Sequence, residues 1–167
     1  MLPTFTTDRL ILRERTMIDL ESCLLMDRDP EVVQYIDGPW NDTEKHRNFV
    51  IGRILHRYPD GLGYWTIVDK KNRQFLGWIL LIPVDFTGPK IEIGWRLVRN
   101  SWGKGYATEA AETILLHAIN TVGIRKIFAD IHPENIGSMK VAKKLGFLNK
   151  GLIKNEDETF YRYIYER

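Results

Sequence analysis

A segment with two closely spaced glycines is the part of the sequence best suited to hold a negatively charged ligand. It reads RNSWGKGYATEA, residues 99–110, and joins a predicted strand to a predicted helix. The first amides of a helix lack partners within it, and the helix dipole adds partial positive charge, so phosphate oxygens bind there readily. Gly103 and Gly105 would let a phosphate approach the backbone, or would form a tight turn that packs the helix against a sheet. Both interpretations fit the segment by itself.

Two known phosphate-binding patterns can be compared with this segment. A P-loop ends in Gly-Lys-Ser or Gly-Lys-Thr, and the GKG run at residues 103–105 lacks this ending, which excludes a P-loop. A dinucleotide-binding turn needs a third glycine where Thr108 stands, although Asp130 occupies the expected place of a ribose-binding acid. Glu92 and Arg96 also interrupt the preceding strand, unlike a parallel strand buried on both faces. The dinucleotide pattern is therefore disfavoured.

The composition is that of an ordinary globular chain. With 167 residues, a single domain over residues 1–167 is expected. Hydrophobic residues make up 44% and charged residues 28%, and a net charge of +2 without a block of like charges argues against nucleic acid and membrane partners. The longest mostly apolar run, residues 75–84, is too short to cross a bilayer. Residues 1–7 do not resemble a secretion signal, so a cytoplasmic location is expected.

The cysteine and histidine content predicts no metal and no redox centre. Cys23 is the only cysteine, and it lies among leucines in a predicted helix, where it is expected to be buried and inert. The histidines form no HExxH pattern; they are His46, His56, His117 and His132.

Capping residues and hydrophobic periodicity predict the elements that position the glycine segment. Helices are expected to begin at Thr16 and at Asp29, and to run from Asn41 to Tyr58, from Ala107 to Val122 and over residues 135–145. Strands are expected at residues 8–14, 64–68, 75–82, 91–98, 126–131, 147–153 and 159–165. The strand, glycine segment, long helix and returning strand form a β-α-β unit, so the predicted fold class is mixed α/β.

Four stretches of the sequence resemble the GNAT N-acetyltransferases. GKGYATEA at residues 103–110 resembles their acetyl-coenzyme A pyrophosphate loop, and three further matches follow the family's order: TDRLILR at 7–13, EIGW at 92–95, and NIGS at 135–138 followed by KLGF. The combination resembles the branch of ribosomal-protein N-terminal acetyltransferases. Asn100 departs from the family, which often has Gln or Arg there. The resemblance implies a mostly antiparallel, twisted sheet of six or seven strands, with helices on both faces.

The resemblance also implies where acetyl-coenzyme A would bind. The sheet would splay between the strands of Glu92 and Ile127, and the pantetheine arm would bond to the backbone near Leu97 and Val98. The backbone amides expected to hold the pyrophosphate belong to Trp102, Gly103, Lys104, Gly105, Tyr106 and Ala107. Asn135 would bond the pantetheine, cap a helix, or do both. Three lysines would meet the 3′-phosphate or simply be solvated: Lys140, Lys143 and Lys144.

Acetyl transfer from a thioester to an amine requires a neutral amine. At pH 7 a lysine amine with a pKa of ~10.4 is neutral in about one molecule in 2,500, and an α-amine with a pKa of ~7.8 in about one in seven, so an α-amine needs less help from a base. Glu92 is the candidate base, acting through water. The alternative is that Glu92 is a surface carboxylate paired with Arg96 on the same face of the strand.

A proton donor for the leaving thiolate is less evident. The family's usual tyrosine is replaced by Ala142, and Ser138 matches a serine near the thiol, although a serine there also bonds local backbone. Tyr161 and Tyr163 are reserve candidates. Backbone amides near Val98 are expected to hold the thioester oxygen.

The predicted function is transfer of an acetyl group from acetyl-coenzyme A to a primary amine by direct attack, without a metal. The acceptor would be a protein N-terminal α-amine or a small-molecule amine, and the enzyme a monomer or homodimer. Four aromatic residues are expected to line the acceptor pocket: Tyr35, Trp40, Tyr64 and Trp65. The alternative is a non-catalytic acyl-coenzyme A sensor of the same fold.

Overall fold

The computed structural model describes residues 1–154 and 157–167, in which eight strands form one sheet. The strands are β1 (Phe5–Thr6), β2 (Leu10–Glu14), β3 (Gly63–Asp69), β4 (Phe75–Pro83), β5 (Ile91–Leu97), β6 (Lys126–Ile131), β7 (Leu148–Lys154) and β8 (Thr159–Glu166). Their order across the sheet is β1-β2-β3-β4-β5-β6-β8-β7. Only the β5–β6 pair of these strands is parallel. The expected mixed α/β fold with a mostly antiparallel sheet is confirmed.

The sheet has one strand more than the expected six or seven. The additional strand is β1, which pairs with β2 through Phe5 and Thr6 only. A two-residue edge strand is too short to produce an alternating pattern of apolar and polar residues, so the sequence gives no signal for it.

Five α-helices lie in the described part of the chain. They are α1 (Leu20–Asp27), α2 (Pro30–Val33), α3 (Thr43–Leu55), α4 (Tyr106–His117) and α5 (Ile136–Lys144). A 3-10 turn, Met17–Asp19, precedes α1, and a π-helical turn, Ala118–Val122, extends α4. None of these described helices is long and apolar enough to span a bilayer.

The predicted start and end of α3 differ slightly from the structure. Asp42, not Asn41, caps the helix, because its carboxylate accepts a hydrogen bond from the Lys45 amide at 2.9 Å. The helix ends at Leu55 because His56 turns to an extended backbone conformation, with a ψ of 135°. The apolar spacing that continues to Tyr58 therefore reflects packing of the following loop rather than more helix.

Helices cover both faces of the sheet, as expected. On one face, Trp65 and Ile79 pack in a core with Ile114 of α4. On the other face, Trp78 packs in a core with residues of α1 and α3, among them Val50. Successive residues of a strand point to opposite faces, so each strand contributes to both cores.

The sheet opens between β5 and β6. These strands pair at only two positions, where Ile91 faces Ile127 and Glu92 faces Phe128. On its other side, β6 pairs with β8 along its whole length, from Lys126 to Ile131. Beyond Glu92 the two parallel strands separate, which leaves a gap in the middle of the sheet between the glycine segment and α5.

Candidate active site

The glycine segment forms a bare backbone turn at the start of α4. Gly103 and Gly105 have backbone φ angles of 71° and 81°, in the left-handed region that residues with a Cβ rarely adopt. An added Cβ at Gly103 would meet no described atom within 4 Å, and one at Gly105 would meet only the end of the Arg9 side chain, at 3.3 Å. Close packing of helix against sheet therefore does not explain these glycines. They shape an open turn whose amides are accessible to a ligand.

Two residues near the start of the chain, Thr7 and Arg9, hold this turn in place through hydrogen bonds. The Arg9 guanidinium donates to the Glu109 carboxylate at 2.7 Å and to the Lys104 carbonyl at 2.8 Å. The Thr7 hydroxyl donates to the same carboxylate at 2.6 Å. Burial raises the pKa of Glu109, but the hydrogen bonds from Thr7 and Arg9 outweigh it and hold that pKa below its ordinary value. The TDR part of the N-terminal motif therefore fixes the shape of the glycine turn.

A cleft of about 580 Å³ lies between the glycine turn, β5 and α5. It is lined by most of the predicted site residues, namely Leu97, Trp102, Gly103, Gly105, Tyr106, Ala107, Asn135 and Ser138. Lys140 and Lys144 also line it, whereas Lys143 is not among the described residues that do. The structure thus brings together in one cleft groups that lie more than 40 residues apart in the sequence.

Val98 and Lys104 are the predicted cofactor contacts that do not line this cleft in the described part of the chain. The expected role of the Val98 amide is wrong, because its N–H donates to Leu76 and its carbonyl accepts from Ser101, both at 2.9 Å. The Lys104 carbonyl is held by Arg9.

The register of β4 and β5 identifies the backbone groups that face the gap instead. Residues of antiparallel strands alternate between pairs that exchange hydrogen bonds and pairs that do not. Because Val98 bonds to Leu76, the amides of Leu97 and Trp95 point away from β4 and toward the gap. The Leu97 carbonyl accepts from the Trp102 indole at 2.9 Å, so its N–H is the group that remains for a ligand.

A second cavity, of about 760 Å³, lies on the α1–α3 side of the sheet and joins the first. Tyr35, Trp95, Asn135 and Ser138 line both spaces. The Tyr35 ring stacks on His132, which follows β6, with 4.9 Å between ring centroids. The two spaces therefore meet beside the aromatic residues Tyr35 and Trp95, with Ser138 also at the junction.

Glu92 lines the second cavity. Burial, and then the charge of Asp130, raise the pKa of this carboxyl above its ordinary value. The expected alternative, an ion pair with Arg96, is wrong, because the Arg96 guanidinium donates to the Asp27 carboxylate at 2.7 Å. Asp27 also lies 3.2 Å from the His46 ring nitrogen. Glu92 is thus a carboxylate in a cavity, and its raised pKa makes it a stronger base than an exposed glutamate.

The predicted proton donors fall on different sides of the sheet. Tyr163 is buried in the core beside α4, Tyr161 packs against that core, and neither is among the described residues lining the two spaces, so both reserve assignments are wrong. Asn135 caps α5 by accepting from the Ser138 amide at 3.1 Å. That bond uses only the backbone of Ser138 and leaves its hydroxyl for another partner.

Three of the four aromatic residues predicted to line the acceptor pocket do so: Tyr35, Trp40 and Tyr64 line the second cavity. Trp65 does not, because it lies in the core on the opposite face, where its indole donates to the Pro3 carbonyl at 2.8 Å. Successive residues of a strand point to opposite faces of the sheet, so Tyr64 and Trp65 lie on different faces.

Cys23 is buried, as expected. Burial raises the pKa of its thiol to about 11, so the unreactive protonated form dominates at neutral pH. Within residues 1–154 and 157–167, no three His, Cys, Asp or Glu side chains are grouped to hold a metal ion.

Comparison with known proteins agrees with this geometry. The acetyltransferase (GNAT) domain matches residues 9–148, most of the chain. The chain belongs to the GNAT acetyltransferase family. It is 29% identical over 163 residues to the uncharacterized N-acetyltransferase p20 of Bacillus licheniformis, covering 96% of this chain and 91% of that protein.

Two further likenesses extend over nearly the whole GNAT chain. It is 26% identical over 164 residues to the FsC-acetyl coenzyme A-N(2)-transacetylase of Aspergillus fumigatus, covering 94% of this chain and 70% of that protein. Its fold matches the crystal structure of an acetyltransferase from Agrobacterium tumefaciens with a TM-score of 0.84 and 25% identity, covering 100% and 96% of the two chains.

Sequence reasoning missed two parts of this GNAT site. Gln34 and Ile36, on either side of the predicted Tyr35, also line both spaces, but their sequence surroundings carry no motif. Arg15 lines the second cavity, and nothing in its sequence surroundings separates it from Arg13, which forms an ion pair with Asp19. The N-terminal motif gave a signal for Arg9, but not for its contact with the glycine turn.

Proposed function

We propose that this GNAT acetyltransferase transfers an acetyl group from acetyl-coenzyme A to a primary amine by direct attack. The observation that carries the proposal is that the cleft at the glycine turn meets the cavity that holds Glu92, since the two share lining residues. A donor in the first space and an acceptor in the second would meet there. The name of the Aspergillus fumigatus relative, a coenzyme A-dependent N-transacetylase, supports the choice of donor and of reaction.

The residues of the cleft fit acetyl-coenzyme A. The open turn at Gly103, where an added Cβ would meet no described atom, leaves room for a pyrophosphate on the amides of residues 103–107. The expected role of the Trp102 amide is wrong, because its N–H donates to the Arg99 carbonyl at 3.0 Å. The amides of Trp95 and Leu97 face the gap, where they suit the pantetheine arm. Lys140 and Lys144 suit the 3′-phosphate. When bound, acetyl-coenzyme A supplies an acetyl group activated as a thioester.

Glu92 is the proposed general base. Its carboxylate accepts a proton from the acceptor ammonium, directly or through water, and so keeps the amine neutral for attack. Burial favours this role because it raises the pKa of the carboxyl toward that of the amine. Ser138, at the junction, is the proposed proton donor to the leaving thiolate, since its hydroxyl is left free by the cap of α5.

The acceptor is proposed to be a protein N-terminal α-amine or a small-molecule amine. Ease of deprotonation favours the α-amine, and any other primary amine would depend more on the base. The resemblance to the ribosomal-protein branch remains a prediction about that acceptor. A single domain over residues 1–167 also remains a prediction. The alternative function, an acyl-coenzyme A sensor without turnover, draws on Ala142, which takes the place of the family's tyrosine.

Isothermal titration with acetyl-coenzyme A, followed by measurement of free thiol release with a panel of primary amines, tests the proposal. We expect saturable binding and thiol release that depends on the amine. Binding without amine-dependent thiol release would favour the sensor. Absence of binding to the folded protein would contradict both functions and the assignment of the cleft.

A further inference from the structure

Arg15 differs from Arg13 and Arg96, its neighbours on the α1–α3 face of the sheet, in having no acidic partner among the described residues. Arg13 forms a two-point hydrogen bond with Asp19, at 2.9 and 2.7 Å. Arg96 is paired with Asp27. Among the residues that the structure describes, none accepts a hydrogen bond from Nε or Nη2 of Arg15. The fold thus supplies carboxylates to both neighbouring guanidinium groups, whereas no carboxylate in residues 1–154 and 157–167 pairs with that of Arg15.

The absence of a partner is costly because Arg15 is buried, with only 6% of its surface exposed. A buried charge without a compensating partner destabilises a fold strongly. The guanidinium lies over the Tyr64 ring, 3.7 Å from its centroid, which offsets part of this cost. A ring beneath the guanidinium plane leaves the N–H groups in that plane unsatisfied, and these are the groups that bind a carboxylate at two points.

Arg15 lines the same cavity as Glu92, at a distance that the sheet register defines. The Arg15 amide bonds to Tyr64, Tyr64 faces Leu80, and Leu80 faces Gly94, two residues from Glu92. Three strand spacings, about 14 Å, therefore separate the backbone of Arg15 from β5. The side chains of both residues extend into the space between, which a molecule of several bonds would span.

We propose that Arg15 binds a carboxylate of the acceptor, so that the substrates are small amines bearing a carboxylate several bonds from the amino group. This inference rests on the proposed function and deepens it. The cavity, at about 760 Å³, has the size of small-molecule sites. The amine is placed toward Glu92 and the carboxylate at the Arg15 end, because the two residues have opposite charges and lie at separate parts of one cavity.

The test compares ω-amino carboxylates with their uncharged amides in the thiol-release assay. The pairs are glycine and glycinamide, 4-aminobutyrate and its amide, and 6-aminohexanoate and its amide. For at least one of the longer pairs, we expect kcat/KM of the wild-type enzyme to be about tenfold or more higher for the carboxylate than for the amide, and the glycine pair to show little preference. The comparison of acids with amides uses only the wild-type protein, so its result does not depend on whether a variant folds.

Two variants assign the preference to Arg15. Arg15→Met should reduce the ratio of kcat/KM values to about one, and Arg15→Lys should keep part of it, since it retains the charge but not the two-point geometry. Arg53→Met is the matched control, because Arg53 lines the same cavity with its guanidinium over Phe86 and Phe49. That control should keep most of the preference.

Three outcomes would overturn the inference: equal kcat/KM values for acids and amides, a preference that survives Arg15→Met, or an equal loss in Arg53→Met. Each of these leaves acetyl-coenzyme A binding and amine-dependent thiol release intact. Failure of binding and of thiol release with every amine would instead contradict the proposed function.

Discussion

At the scale of single residues, the environment of one carboxylate decides the chemistry that the site can perform. Glu92 lies in a cavity where burial and Asp130 raise its pKa, while the nearby cation Arg96 is committed to Asp27. Had Glu92 paired with Arg96, the ion pair would have lowered its pKa and made it a poor base at neutral pH. The separation of these two residues is therefore a condition of the proposed mechanism.

Glu92→Gln should lower kcat/KM at pH 7 by about 100-fold, because the base is lost. The loss should shrink at high pH, where more of the amine is neutral without help. In the wild-type enzyme, kcat/KM should rise with pH through the raised pKa of Glu92, since only the deprotonated carboxylate accepts a proton. The measurement is a pH profile of kcat/KM from thiol release.

The matched control for Glu92 is Glu112→Gln, on the exposed surface of α4. It should leave the profile unchanged. A Glu92→Gln profile parallel to that of the wild-type enzyme at every pH would remove Glu92 from the role of base.

At the scale of elements, the N-terminus of α4 depends on its own glycines and on a distant strand. The glycines provide the left-handed backbone angles, and Arg9, just before β2, holds the turn through Glu109 and the Lys104 carbonyl. A turn that is already in its binding conformation loses less entropy when a ligand binds. The two features can be tested separately.

Gly105→Val should lower the affinity for acetyl-coenzyme A by about tenfold or more without unfolding the protein. A β-branched residue at a φ of 81° costs about 1–3 kcal/mol, so the turn should change shape. Titration calorimetry measures the affinity, and circular dichroism the fold. The control is Gly52→Val, at a helical position where an added Cβ meets no described atom. Unchanged affinity in Gly105→Val would contradict the assignment of the glycine turn.

Arg9→Gln should weaken acetyl-coenzyme A binding by about fivefold and leave kcat nearly unchanged. The effect is modest because the Arg9 side chain is partly exposed, and exposed ion pairs contribute little. Arg47→Gln breaks a surface ion pair of the same length with Glu21 and should not change the affinity. Equal effects of the two substitutions would mean that Arg9 does not position the turn.

At the scale of the whole molecule, a buried ionic cluster ties the helices on one face to the sheet. Asp27, at the end of α1, contacts His46 of α3 and Arg96 of β5, and the cluster borders the cavity that holds Glu92. The Arg96 guanidinium also lies between Trp40 and Trp78, about 5 Å from each ring centroid. The wall of the acceptor cavity therefore depends on contacts among three elements.

Asp27→Asn should lower the free energy of unfolding by about 3 kcal/mol, because it leaves the buried Arg96 charge uncompensated. Urea unfolding of the two proteins measures the difference. Asp37→Asn, at an exposed position, is the control and should change stability little. A loss below about 1 kcal/mol in Asp27→Asn would show that the cluster does not hold the face together.

Much of the fold could be predicted because its signals are local. Periodicity and capping depend on residues a few positions apart, and they located all five helices and every strand except the two-residue β1. The glycine turn was predicted for the same reason, since a left-handed turn followed by a helix start depends on neighbouring residues.

Only the tertiary structure decided how distant groups combine. Arg96 pairs with a carboxylate 69 positions away, Arg15 has no carboxylate partner in the part of the chain that the structure describes, and Trp65 lies on the opposite face from Tyr64. These outcomes depend on strand register, because a shift of one residue moves a side chain to the other face. The sequence by itself determined the elements and the family, whereas the contacts between elements determined which charges face the acceptor cavity.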